Sequence, residues 1–207
     1  NYTCSFCTIP LARGKSRSGT VEDTIKTAQR IAKAKKVKEI VITGVNIGDF
    51  GLHNGESLIQ LLREMDELEY IERIRISSIE PNLLSDEIIE FCNESKKFMP
   101  HFHIPLQSGS DRILKLMRRR YNTDYYQTLI GKIKNINKDT CIGVDVIVGF
   151  PGETDSDFLA TYEFLSSIDV SYLHVFSYSE RQNTDAYHYI NHVSKKNKSE
   201  RSKTLHN

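Results

Sequence analysis

Short apolar runs alternate with amphipathic stretches along the chain. Runs rich in β-branched and aromatic residues, each bounded by polar turn residues, predict five β-strands, at residues 39–45, 73–79, 101–106, 141–148 and 172–178. Apolar residues at helical spacing predict six α-helices, at residues 21–35, 58–68, 86–94, 112–119, 125–137 and 155–168. Because strands that alternate with helices pair in parallel through right-handed crossovers, the pattern predicts an α/β fold.

Three of the predicted helices carry a start signal. A hydroxyl side chain followed three residues later by an acid or amide is typical of a capping box, which satisfies the first free N–H groups of a helix. The pairs are Thr20 with Asp23, Ser57 with Gln60, and Thr154 with Asp157. These signals support the predicted helix starts independently of the apolar spacing.

Polar segments follow all five predicted strands, at residues 44–46, 77–81, 107–110, 149–154 and 177–181. Parallel strands form either an open sheet, which binds ligands at a switch point, or a barrel, in which several strand ends contribute functional residues. Since all five ends are polar, we expect a partial (β/α)6 TIM-like barrel. One further strand would lead into the first loop, and we expect that strand to be missing from this chain.

Composition and charge indicate an ordinary globular protein. Apolar residues make up 39% of the 207 residues, and a net charge of +1 neither supports nor excludes a nucleic-acid partner. No apolar run approaches the ~20 residues of a membrane span. The cysteine usage fits a reduced, cytoplasmic protein. We expect one domain over residues 1–190, followed at 191–207 by a polar connecting helix or tail that leaves it.

Two cysteines, Cys4 and Cys7, lie close together at the start of the chain. A cysteine immediately before Asn1 would complete Cys-x3-Cys-x2-Cys, a cradle for three irons of a [4Fe–4S] cluster, since such clusters take cysteine thiolates as their usual ligands. In isolation the pair is also compatible with half of a zinc site, with a redox dithiol, or with two cysteines that are adjacent by chance. Cys92 and Cys141 are too far away in sequence to supply the second half of a local zinc site.

Taken together, the motifs resemble the methylthiotransferase branch of the radical S-adenosylmethionine (radical SAM) superfamily. The matching segments follow the cysteine loop in the expected order, at residues 10–18, 43–48, 103–110, 117–121, 145–154 and 176–181. Residues 43–48 look most similar to the subfamily that acts on threonylcarbamoyl-adenosine beside the tRNA anticodon. Sister subfamilies act on isopentenyl-adenosine in tRNA or on an aspartate of a ribosomal protein. The chain departs from the family pattern at the absent first cysteine and at Gly19, where an arginine is common.

The resemblance implies a fold, cofactors and partners. It implies a barrel of the radical SAM type, a [4Fe–4S] cluster held by Cys4 and Cys7, and S-adenosyl-L-methionine. An auxiliary [4Fe–4S] cluster would lie in a further domain absent here. The implied partners are the tRNA anticodon stem-loop and a reductant protein such as a flavodoxin or ferredoxin. One S-adenosylmethionine would donate a methyl group to sulfur, and another would be cleaved to a radical that abstracts hydrogen from the substrate.

By the same resemblance, twelve residues are candidates to contact S-adenosylmethionine: Phe6, Gly44, Asn46, Glu80, Gln107, Ser108, Arg119, Asp145, Gly149, Phe150, Pro151 and Gly152. Phe6 matches an aromatic residue near the cofactor, and residues 149–152 would pack along its adenine. These candidates also have ordinary interpretations. Loop packing would explain Phe6, a tight strand-to-helix turn would explain residues 149–154, and hydrogen bonds to loop backbone would explain Gln107 and Ser108.

The charged candidates have structural alternatives as well. Glu80 is either a pocket carboxylate or an exposed loop acid. Asp145 interrupts an apolar strand and therefore needs a partner, either Arg119, Arg181 or a cofactor group. Arg119 either binds the cofactor carboxylate with its planar fork or belongs to a solvated helix end.

Two further groups of residues bear on binding. Arg13, Lys15 and Arg17, next to the cysteine loop, are either RNA contacts or surface charge. The histidines, including His101 and His103 at same-face strand spacing, do not predict a metal site.

We interpret the chain as the catalytic core of a methylthiotransferase that inserts a methylthio group into a modified adenosine next to the anticodon. Methylthiolation of a ribosomal-protein aspartate and another radical SAM reaction are the enzymatic alternatives. A metal- or RNA-binding module without catalytic activity is the third alternative. Because one cluster cysteine and the auxiliary domain are absent, we expect these 207 residues to be inactive on their own.

Overall fold

The computed structural model describes residues 2–35 and 37–206, and within them five strands alternate with helices. The strands are β1 (Glu39–Ile42), β2 (Arg73–Ile76), β3 (His101–His103), β4 (Cys141–Val148) and β5 (Tyr172–Ser177). The helices are α1 (Ile9–Arg13), α2 (Val21–Lys35), α3 (Leu58–Asp66), α4 (Asp86–Glu94), α5 (Asp111–Leu116), α6 (Thr123–Ile136), α7 (Asp155–Ser167) and α8 (Lys195–His206). Short 3₁₀ turns lie at Ile47–Asp49, Pro81–Leu83 and Asp185–His188.

All the strand pairs are parallel, as the sequence predicts. β1 pairs with β2, and β3, β4 and β5 pair in that order. The two groups are joined because Ile74 of β2 bridges to Phe98 in parallel, and the amide of Ile79 donates to the carbonyl of His103 at 3.0 Å. The result is a curved, partial α/β barrel, which confirms the predicted fold class.

The alternation of side chains along the strands separates an apolar outer face from a polar inner face. Ile74, Phe102 and Val144 point outwards into the core beneath the helices and are at most 4% exposed. Their neighbours His103 and Asp145 point to the opposite face, which is the concave inside of the barrel. The same strands therefore build both the core and the polar inner face.

Strands β1, β2 and β3 end about three residues earlier than predicted. After β3, the apolar run continues through Ile104 and Leu106, which are fully buried, but Pro105 has no amide to donate to a ladder. A single bridge from Gln107 to Val146 resumes the pairing. The polar strand ends thus form loops that fold over the rim of the barrel.

The predicted start signals have the expected geometry. Ser57 with Gln60 and Thr154 with Asp157 form complete capping boxes at the starts of α3 and α7. At the start of α2, the hydroxyl of Thr20 accepts from the amide of Asp23 at 3.1 Å.

Helix α8 packs against strands β4 and β5. Its Arg201 is only 6% exposed, although the helix is polar in sequence. The guanidinium is drawn inwards because it pairs with Glu153, whose side chain is 1% exposed, in the loop after β4. The proposed domain boundary at residue 190 stays a prediction. Among the described residues, no helix has the length and apolar character needed to cross a membrane.

Candidate cofactor-binding site

A cavity of about 600 Å³ lies at the carboxyl-terminal edge of the strands. The loop of Cys4 and Cys7, the loop after β1, and single residues following β2 and β3 surround it. Parallel strands present their carboxyl ends at one edge of a barrel, which is where ligands bind in this class of fold. Eight predicted site residues line the cavity: Cys4, Cys7, Phe6, Gly44, Asn46, Glu80, Gln107 and Arg119.

The cysteine loop is held in place by the residue that follows its first thiol. Ser5 is 2% exposed. Its amide donates to the carbonyl of Met117 at 3.2 Å, and its hydroxyl donates to the carbonyl of Leu116 at 2.7 Å. The amide of Ala186 donates back to the Ser5 carbonyl at 2.8 Å. The loop is thus tied to the end of α5 and to the chain after β5, and both cysteines line the cavity.

Arg119 joins three residues at this side of the cavity. Its guanidinium donates to the Cys4 sulfur at 3.1 Å, forms an ion pair with Glu80, and donates to the Tyr121 hydroxyl at 3.0 Å. The Arg119 side chain is only 3% exposed. Of the two sequence interpretations, the solvated helix end is therefore wrong. The backbone explains the position, because Arg118 has a φ of +60°, which ends α5 and turns the next side chain inwards.

Electrostatics at this junction are dominated by burial. Desolvation raises the pKa of the Cys4 thiol and of the Glu80 carboxyl, although the Arg119 guanidinium opposes both shifts. Cys4 is consequently held as a thiol, next to a fixed positive charge that favours its thiolate. A cation or cluster that binds sulfur would complete the loss of the proton.

Two polar side chains in the cavity wall fit a bound polar ligand. The amide nitrogen and oxygen of Asn46 are buried, and neither has a hydrogen-bond partner among the described residues. An unsatisfied buried polar group costs about 1–3 kcal/mol. Gln107 has a φ of +72°, a conformation that costs free energy for residues other than glycine and persists only where the surrounding structure holds it. The two thiols of Cys4 and Cys7 fit an iron–sulfur cluster. The unpaired amide of Asn46 and the strained backbone of Gln107 fit a polar cofactor beside it.

Gly44 and Phe6 shape the apolar part of the cavity. A Cβ on Gly44 would lie 2.8 Å from Cγ2 of Ile47, so the close turn after β1 requires glycine. The Phe6 ring meets Phe150 edge-to-face, with 6.2 Å between centroids. Phe150 is fully buried and therefore supports Phe6 from behind without lining the cavity.

Five other predicted residues also lie outside the cavity lining: Ser108, Asp145, Gly149, Pro151 and Gly152. Ser108 is fully buried, and its hydroxyl accepts from the loop amide of Ser110 at 3.2 Å, which agrees with its structural alternative. Gly149 donates its amide to Glu153 at 2.7 Å. Cofactor contacts by these five residues, and by Phe150, stay predictions.

Asp145 has partners that the sequence did not suggest. Its Oδ1 atom lies 2.9 Å from Nε2 of His103 and 3.3 Å from Nδ1 of His174, and within the described chain neither Arg119 nor Arg181 forms an ion pair with it. The ligand atoms of the three residues all lie within 4.8 Å of one another. The sequence did not indicate this constellation, because residues on three strands that are far apart in sequence form it.

The basic segment after the cysteine loop also lines the cavity. Arg13, Lys15 and Arg17 lie at its edge and are exposed, so they surround the entrance. Tyr2 carried no signal in the sequence. Its ring lies 5.3 Å from the Arg119 guanidinium and closes the same side of the cavity.

Comparison with known proteins agrees with this arrangement. The family model of the "Radical SAM superfamily" matches residues 1–165. A threonylcarbamoyladenosine tRNA methylthiotransferase of Bacillus subtilis is 43% identical over 203 residues, which are 97% of this chain and 45% of that protein. A tRNA-2-methylthio-N(6)-dimethylallyladenosine synthase of Clostridium tetani is 39% identical over 207 residues, which are 99% of this chain and 46% of that protein. The chain thus spans about half the length of these curated relatives.

Solved structures agree on the fold. Coproporphyrinogen III oxidase of Escherichia coli superimposes with a TM-score of 0.68 at 16% identity, covering 98% of this chain and 48% of that one. SuiB of Streptococcus suis, bound to S-adenosylmethionine, gives a TM-score of 0.65 at 18% identity, and the match covers 98% of this chain and 43% of that one. With the family model matching most of the chain and the thiols at the barrel rim, the chain belongs to the radical SAM superfamily.

Proposed function

We propose that this chain is the cofactor-binding core of a methylthiotransferase that modifies an adenosine next to the tRNA anticodon. The observation that carries the proposal is the cavity that Cys4, Cys7, Asn46 and Arg119 line together. The names of its sequence relatives support the reaction, since they are tRNA methylthiotransferases. The tRNA would place the protein in the cytoplasm.

Each residue of the cavity has a definite task in this proposal. Cys4 and Cys7 would hold the [4Fe–4S] cluster as thiolates, and Arg119 orients Cys4 through its 3.1 Å contact. A bound cluster would supply one-electron reduction of S-adenosylmethionine. The amide of Asn46 gains the hydrogen bonds it lacks when it binds the polar part of that cofactor. Phe6 excludes water from the apolar side.

The exposed basic residues suit an RNA substrate. Arg13, Lys15 and Arg17 surround the entrance, where their charges would meet phosphates of a stem-loop. Threonylcarbamoyl-adenosine is the modified base we favour, because the relative from Bacillus subtilis carries that name. A reductant such as flavodoxin or ferredoxin would supply the electron.

The test uses the protein that carries this chain, reconstituted anaerobically with iron and sulfide. We expect a dark iron–sulfur chromophore, reductive cleavage of S-adenosylmethionine, and a methylthio-nucleoside detected by mass spectrometry of tRNA. The Cys7→Ala variant should lose cleavage and the share of the chromophore and iron that belongs to this site, whereas Cys92→Ala, which changes a buried cysteine outside the cavity, should keep both. Cleavage without methylthiolated tRNA would refute the proposed reaction, and equal iron in both variants would refute the site.

A further inference from the structure

Three neighbouring strands bring two imidazoles and a carboxylate together on the inner wall of the barrel. His103 lies on β3, Asp145 on β4 and His174 on β5, and β4 pairs Asp145 directly with His174. We call these three residues the inner-wall triad. Both imidazole nitrogens approach the same carboxylate oxygen, at 2.9 Å and 3.3 Å.

No fixed cation offsets the charge of the Asp145 carboxylate within the part of the chain that the structure describes. Its side chain is 21% exposed, and its ion-pair partners there are the two imidazoles. The guanidinium of Arg75, on the neighbouring strand β2, donates to Glu39 at 2.8 Å and is neutralised there. A half-buried carboxylate is costly unless a positive charge reaches it.

The site is enclosed but accessible. The His103 side chain is 15% exposed and that of His174 is 54% exposed, so an ion can enter from the His174 side. Tyr172 forms one wall, with its ring 5.2 Å from that of His174. The ring lies across β4 because residue 143 is glycine, where a Cβ would be 2.1 Å from the tyrosine ring.

The nitrogen atoms can become ligands without net loss of a proton. In a metal-free network, the N–H groups at His103 Nε2 and His174 Nδ1 each donate a hydrogen bond to Oδ1 of Asp145. A tautomer change moves each proton to the other ring nitrogen and frees a lone pair, while both rings stay neutral. The three ligand atoms, all within 4.8 Å of one another, then need only small movements to share one ion.

We propose that the inner-wall triad binds a divalent transition-metal ion. Two imidazoles and one carboxylate suit zinc and its first-row neighbours, and they discriminate against magnesium and calcium, which prefer all-oxygen sites. Three protein ligands leave a coordination position open, as in zinc sites that bind water or a substrate atom. The triad does not line the cavity of Cys4 and Cys7, so this site is separate from the proposed cluster.

The test first removes the two thiols of the cysteine loop, Cys4 and Cys7. In the Cys4→Ser, Cys7→Ser background, cobalt(II) serves as a visible probe and zinc as a competitor. We expect about one cobalt per chain that depends on the triad, is displaced by zinc, and binds more than about tenfold more weakly in His174→Ala, since losing even an outer-shell partner costs tenfold or more. The matched control is His53→Ala, which removes an exposed loop histidine and should bind as the background does.

A second measurement separates metal binding from folding. His174 is the most exposed member of the triad, so its truncation should leave the fold intact. Zinc should raise the Tm of the background and of His53→Ala but not that of His174→Ala, because a ligand stabilises only the state that binds it. Absence of cobalt bands, or zinc stabilisation that persists in His174→Ala, would mean that the triad is a hydrogen-bonded network alone. Methylthiolation is not measured, so the proposed reaction is tested separately.

Discussion

At the scale of single residues, Arg119 is the centre of the candidate site. It contacts the Cys4 sulfur and Glu80 from a position that is almost closed to solvent. A buried charge is tolerated only when its partner is in place, so the arginine and the glutamate depend on each other. The arginine therefore both fixes the geometry around Cys4 and makes the site sensitive to change.

Removing the guanidinium should destabilise the fold. We expect Arg119→Met to cost about 3–5 kcal/mol in the free energy of unfolding, because Glu80 is left as a buried carboxylate without its partner. The double variant Arg119→Met, Glu80→Gln should recover part of this loss. Urea denaturation of both single variants and the double variant measures the coupling, and strictly additive effects would contradict it.

Asp157 gives the protein a stability contribution that depends on pH. Burial alone would raise the pKa of Asp157, but hydrogen bonds from Arg112, Thr154 and Ser110 outweigh it and lower that pKa. A lowered pKa contributes stability that is present above the unfolded-state value, here the ordinary 3.8, and is lost as the pH falls below it.

Asp157→Asn should therefore lower stability by about 1–3 kcal/mol near pH 7, since it removes hydrogen bonds to a charged group. Below the ordinary carboxyl range the stabilities of the variant and the wild type should approach each other, because the advantage of the wild-type carboxylate is lost with falling pH. Urea midpoints at pH 7 and pH 3 measure the difference. Asp124→Asn, an exposed acid in the first turn of α6, is the control and should show little change at either pH.

At the scale of elements, α8 clamps the loop that follows β4. Arg201 donates to the Glu153 carboxylate at 2.5 Å, and the same carboxylate oxygen accepts from the amide of Gly149 at 2.7 Å. Lys198 adds a bond to the carbonyl of Tyr178 at 3.2 Å. Helix α8 thus determines the conformation of residues 149–153, which the family resemblance places against the cofactor.

We expect Arg201→Met to loosen that loop and to lower stability by about 3 kcal/mol, because Glu153 would stay buried without its partner. Hydrogen exchange at residues 149–154 should increase more than exchange in β1 and β2. Lys203→Met changes an exposed residue of the same helix and should leave exchange in the loop unchanged. Equal protection in Arg201→Met and the wild type would show that α8 does not hold the loop.

At the scale of the whole molecule, the barrel has one rim with the thiols and an entrance surrounded by basic side chains. If the rim binds the anticodon stem-loop, RNA affinity must depend on salt, since bound phosphates release counterions. This dependence separates an RNA substrate from an uncharged one without any activity measurement.

The Arg13→Ala, Lys15→Ala variant should bind the stem-loop more weakly at low salt. Its slope of log affinity against log salt should fall by about one for each phosphate that the variant no longer neutralises. Lys33→Ala on α2 changes an exposed charge outside the cavity lining and should preserve the slope. Identical slopes for the wild type and both variants, measured by fluorescence anisotropy, would argue that Arg13 and Lys15 do not touch RNA.

The sequence alone determined the order and direction of the elements. Apolar spacing located six of the eight helices that the structure describes, α2 to α7, to within a few residues at their ends, and alternation with strands required parallel pairing. The capping boxes at Ser57 and Thr154 were readable because they depend on residues three apart. The cysteine loop and the polar strand ends were found for the same reason, since each is a local pattern.

Which side chains meet depends on how the elements pack against one another in three dimensions. Arg119 joined Cys4 and Glu80 because a left-handed residue before it turns the chain inwards, and no local spacing encodes that meeting. The two histidines of the inner-wall triad met their aspartate because three strands pair in register. Likewise, the polar helix α8 docked because Arg201 found a buried acid in a distant loop. Local patterns follow from backbone geometry, whereas the partners of a buried charge depend on every element packed around it.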